Sequence, residues 1–102
     1  MSENERLIPV VVPEKWCMYD QLHKIQKEYD EALLELDALE DNSDDDVRFA
    51  AYEDKQSLAE ELVDIQVACE TALSMLGLNQ EQRDQVRQRV NQKNALRGYH
   101  GN

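Results

Sequence analysis

The sequence predicts an all-α chain: an antiparallel helical bundle, completed by oligomerisation. Three observations carry this prediction. Apolar residues recur in alternating steps of three and four along two long stretches and open a third; glycine and proline stay outside all three; and the connections between them are short and polar.

The elements follow in order. Pro9 and Pro13 bracket Val10-Val11-Val12. Proline biases the residue before it away from helix, so residues 1–13 read as an extended arm that crosses a neighbouring subunit or packs on its own chain. From Glu14 to about Glu40 a first helix carries the seam Leu22, Ile25, Tyr29, Ala32, Leu36 and Leu39. The acidic run Asp41 to Asp46 breaks the pattern as a polar connection. It does not fit a calcium-binding EF-hand loop, because Asp46 stands where glycine is needed and Tyr52 where glutamate is needed.

A second helix is expected from about Val47 to Leu76, interrupted near Asp54 to Ser57, with the seam Leu58, Leu62, Ile65, Cys69, Ala72 and Leu76. Val63 and Val67 fall on its other side, which calls for a second partner surface. Gly77 is placed to end this helix, and Asn79 with Gln82 to open a third that runs to about Arg97. That helix turns from apolar (Val86, Val90) to cationic (Lys93, Arg97) along one stripe. Between Gln80 and Tyr99 five cations face two acids, in a chain whose net charge is -11. Residues 14–99 therefore read as one all-α domain and 100–102 as a short tail.

The net charge argues against nucleic acid or an anionic membrane as partner. No apolar run is long enough to span a bilayer, and the polar, acidic start is unlike a signal peptide. Two isolated cysteines, Cys17 and Cys69, read as buried free thiols in a reducing cytoplasm.

The chemistry points to four acids in two pairs, Glu28-x-x-Glu31 and Glu61-x-x-Asp64. Acids three apart on a helix share a face. Two such pairs across a hairpin would gather four negative charges, each disfavouring ionisation of the next. A hard cation, Mg²⁺ or Mn²⁺, relieves that conflict because it prefers oxygen ligands. Phosphate chemistry is the natural use of such a site, with Lys24, Lys93 and Arg97 placed to neutralise phosphate oxygens. Trp16 and Tyr99 are candidate platforms for a base, as are Tyr19, His23 and His100.

These stretches, Lys24-Ile25-Gln26-Lys27-Glu28-Tyr29-Asp30-Glu31 and Glu60-Glu61-Leu62-Val63-Asp64-Ile65, resemble the MazG-like family of all-α nucleoside triphosphate pyrophosphohydrolases. Lys93 and Arg97, one turn apart, match the family's cationic pair, and the resemblance covers roughly Trp16 to Tyr99. It implies Mg²⁺ held by Glu28, Glu31, Glu61 and Asp64, and hydrolysis between the α and β phosphates of an NTP or dNTP to a monophosphate and pyrophosphate. It also implies a homodimer or homotetramer. The stretch between Glu31 and Glu61 is long for the family. The first pair can be read one turn later, with Glu35 replacing a member. Two alternatives stay open: a non-catalytic helical interaction module, and a related dUTP or phosphoribosyl-ATP type hydrolase.

Overall fold

A computed structural model describes residues 6–41 and 46–101. Among them the chain is all-helical, with α1 at Met18–Asp41, α2 at Gln56–Met75, α3 at Gln80–Leu96 and no strand. The middle of the acidic connection, 42–45, lies outside the described residues, as do 1–5 of the arm and 102 of the tail.

The caps decide where helices begin. α1 starts at Met18, not Glu14, because the Trp16 N–H closes a turn onto the Pro13 carbonyl at 2.9 Å. The Asp20 carboxylate then accepts from the Cys17 N–H at 2.9 Å, which fixes the entry point. The second helix also begins later than expected. Asp46 accepts from the Arg48 N–H at 2.8 Å but caps only a 3₁₀ turn, Val47–Phe49, and Ala50 then turns extended. A second 3₁₀ turn, Glu53–Lys55, leads directly into α2, so the break expected near Asp54 to Ser57 is where the α-helix starts.

Beyond α2 the expectations hold. Gly77 has φ +86°, and the Leu78 N–H reaches back to the Leu73 carbonyl at 3.4 Å. Asn79 and Gln82 form a reciprocal capping box at the start of α3.

The chain forms two compact units, Met1–Ala72 and Leu73–Asn102. In the first, the arm packs on its own chain: the Val10 N–H donates to Thr71 Oγ1 at 3.0 Å. Gln21 joins α1 to α2 by donating to the Ala68 carbonyl at 2.8 Å. The buried apolar residues among the described ones are Ala32, Ala68 and Ala72, which is a thin core for a chain of this length.

Both seams are kept in part: Ile25, Ala32, Leu36 and Leu39 of α1 and Leu58, Ile65 and Ala72 of α2 turn inward as expected, and the other positions do not. On α1 the inner positions are Gln21, Ile25, Glu28, Ala32, Leu36 and Leu39, while Leu22 and Tyr29 are about half exposed, at 53% and 54%. On α2, Glu61, Ile65, Ala68 and Ala72 turn inward, whereas Leu62, Cys69 and Leu76 are exposed. Cys17 is exposed as well, so neither thiol is buried as expected. Val67 lies beneath the arm and Val63 stays exposed.

In the second unit, Arg83 is buried and its guanidinium donates to the Leu78 carbonyl at 2.7 Å and to Gln80 Oε1 at 3.0 Å. Arg87 pairs with Asp84 on the same helix. Lys93, Arg97, Tyr99 and His100 are exposed.

Candidate functional site

The inward turn of α1 and α2 brings acids, rather than leucines, face to face. Glu28, Glu31 and Glu61 each offer one carboxylate oxygen, and the three atoms lie within 4.8 Å of one another. All three residues are half-buried. Glu61 Oε2 is shut off from solvent and has no hydrogen-bond partner. Its carboxyl pKa is raised above the ordinary 4.5, first by desolvation, then by the charges of Glu31, Asp64, Glu28 and Glu35. A buried acceptor with no donor, set among like charges, is an unfavourable arrangement for a protein alone.

Asp64 and Glu35 act on Glu61 through their charges but stand outside the convergent trio. Asp64 is exposed and lines an adjoining groove of about 400 Å³. Glu35 lines a separate recess beside the 3₁₀ turns, with Leu39, Phe49 and Ala50 among its neighbours. Among the described residues the acids that converge are Glu28, Glu31 and Glu61, and Glu35 is not one of them.

The groove by Asp64 is largely apolar. The arm residues Val10 to Pro13 form one side and Val67, Ala68 and Thr71 of α2 another. Trp16 lies in its wall, and Lys24 and Glu28 stand at its edge together with Asp64. Lys24 Nζ sits 3.5 Å from Glu28 Oε1, one turn along α1. The groove thus joins an aromatic surface to the acidic cluster. Trp16 Nε1–H donates to Gln21 Oε1 at 2.9 Å, which fixes the edge of the indole.

Of the residues singled out in the sequence, Trp16, Lys24, Glu28, Glu31, Glu61 and Asp64 belong to the first unit and meet around the trio and groove. Lys93, Arg97 and Tyr99 are carried by the second unit. Sequence reasoning missed Gln21, Thr71 and the arm as parts of the site. One signal for Gln21 was available: it stands two helical turns before Glu28, so both share a face.

Comparison with protein-family models, characterised proteins and solved structures found no match. No helix among the described residues is long and apolar enough to cross a membrane.

Proposed function

We propose that this protein is a Mg²⁺-dependent nucleoside triphosphate pyrophosphohydrolase of the MazG-like type, with nucleotide-pool clearing as its use. The observation that carries the reading is the convergence of Glu28, Glu31 and Glu61 from two helices around a buried, unpartnered carboxylate oxygen. An all-oxygen, all-anionic donor set suits a hard divalent cation, Mg²⁺ or Mn²⁺. The trio holds the ion, with Asp64 completing the ligand set as the family resemblance implies. Bound Mg²⁺ supplies charge withdrawal from the phosphate oxygens.

The chain's own residues do the rest. The groove takes the base, with Trp16 as its aromatic wall, and stacking there stabilises binding by about 1–3 kcal/mol. A carboxylate of the site that is not fully engaged with the ion orients the attacking water and takes its proton. Water attacks the α phosphorus, the bond to the bridging oxygen breaks, and pyrophosphate leaves with that oxygen. Lys24 neutralises phosphate charge beside Glu28.

The bundle is read as antiparallel and completed by a second copy or by three, as homodimer or homotetramer. Two facts support this. The contacts Gln21 to Ala68 and Glu31 to Glu61 run in opposite order along α1 and α2. The outward Leu22, Tyr29, Leu62 and Val63 leave apolar surface without cover on a chain with a thin core. The same exposed residues favour a non-catalytic assembly module as the second reading. A cytoplasmic location is proposed from the two free thiols.

A panel of NTPs and dNTPs with Mg²⁺, with products identified, tests the function. The expected products are a nucleoside monophosphate and pyrophosphate. Release of orthophosphate would move the chain to another bond-cleaving class, and no turnover on any nucleotide would leave the assembly module.

A further inference from the structure

The most deeply buried polar side chain beside the groove is Gln21, 1% exposed, and it belongs to none of the acids or cations discussed above. Its amide is engaged at both ends. The oxygen accepts from Trp16 Nε1–H at 2.9 Å, and the nitrogen donates to the Ala68 carbonyl at 2.8 Å. An indole nitrogen only donates and a carbonyl only accepts, so the amide has a single orientation that serves both. Glutamate would keep the acceptor for Trp16 but set lone pairs against the Ala68 carbonyl. Methionine would fill the volume and serve neither partner. An apolar position on this inner face would pack as well, so packing does not explain an amide here. What the amide adds is direction: it ties the indole edge to the backbone of α2, the same helix whose Val67, Ala68 and Thr71 form the facing wall.

We infer that Gln21 is a positioning residue, which locks the Trp16 ring at a fixed distance from α2 so that the groove stays open to a planar heteroaromatic ring. This rests on the groove reading above, in which the ring is the base of a nucleotide. Without the amide the indole can turn into the groove and fill it, because a single hydrogen bond at Nε1 holds its edge away. Ligand affinity then falls through lost preorganisation.

Trp16 is the sole tryptophan, so its signals report this position alone. The test has a ligand-free arm and a ligand arm. In the ligand-free arm, the wild-type indole N–H exchanges slowly with solvent. In Gln21→Met that protection is lost and acrylamide quenching of Trp16 changes; Gln21→Glu lies between the two. In the ligand arm, titration with α,β-imido-dATP and α,β-imido-dCTP quenches Trp16, and Gln21→Met weakens the response about tenfold. In turnover the loss falls on KM more than on kcat. An unprotected wild-type indole N–H would overturn the inference even if neither variant folded. So would a folded Gln21→Met with unchanged protection, quenching and affinity. Wild-type silence toward both nucleotides would count against the groove reading, and the ligand-free arm would still decide the role of Gln21.

Discussion

Glu31 and Glu61 face each other between α1 and α2 with carboxylate oxygens inside 4.8 Å, and Glu28 closes the same small volume. Water solvates such a cluster poorly because one oxygen of Glu61 is sealed from it. The arrangement costs the fold stability, and a positive charge beside it would offset that cost.

The cost has a pH signature. Glu61 holds its proton more tightly folded than unfolded, so between about 4.5 and its raised pKa the native state binds more protons. Stability of the metal-free protein therefore falls as pH rises through that window, and levels off above it. Asp20 acts in the opposite sense and elsewhere: its carboxyl is held below 3.8 chiefly by the Cys17 N–H, and that contribution is lost only as pH falls further. Melting curves without metal should show a maximum in mildly acidic buffer. A melting temperature that rises steadily from pH 5 to 8 would contradict this.

Removing the charge should trade function for stability. Glu61→Gln takes away the repulsion from Glu31, Asp64, Glu28 and Glu35. Its melting temperature without metal should exceed that of the parent at pH 7.5, and the acid-side maximum should flatten. Turnover should drop by about 100-fold or more, since even outer-shell changes at metal sites cost 10–100-fold. A variant that is less stable and fully active would contradict both halves.

A hydrogen bond ties the arm to α2. Thr71 Oγ1 accepts from the Val10 N–H at 3.0 Å and donates to the Val67 carbonyl at 2.8 Å. Thr71→Val keeps the shape and removes the acceptor. The expected cost is about 1 kcal/mol, with faster amide exchange at Val10 and a higher KM, because Val10 to Pro13 form one side of the groove. Unchanged exchange at Val10 would show that the arm is held by packing alone.

Assembly should depend on the outward apolar residues. Sedimentation of the parent is expected to give a dimer or tetramer. The double variant Leu22→Glu, Leu62→Glu should shift it to smaller species and lower the melting temperature in a concentration-dependent way, since both residues are about half exposed on the single chain. A monomeric parent would remove the oligomer proposal.

Much of the secondary structure was legible because its signals are local. Asn79 with Gln82 and Gly77 act within a single turn, and both appear where the sequence placed them. The later starts of α1 and α2 were not legible, since freedom from glycine and proline permits a helix without starting one. Asp20 sets the start of α1 through its bond to the Cys17 N–H, while Asp46 caps only a short 3₁₀ turn and α2 starts later, directly after a second such turn. The seam positions that turn outward have a different cause. A hydrophobic pattern ranks Leu22, Tyr29 and Leu62 as core, yet the chain turns Gln21, Glu28 and Glu61 inward instead. No rule of burial for a lone chain predicts that; it is sensible where a charged site and an outer interface compete for the same helices. Gln21 was missed for the same reason, because its value lies in the tie between Trp16 and Ala68 that only the fold creates.

The most direct measurement is titration with Mn²⁺ followed by electron paramagnetic resonance, on the parent and on Glu28→Gln, Glu31→Gln and Glu61→Gln separately. Saturable binding that competes with Mg²⁺ and is weakened in each of the three variants is the predicted result. Equal Mn²⁺ binding by the parent and all three variants would contradict a shared cation between α1 and α2, and with it the proposed hydrolase.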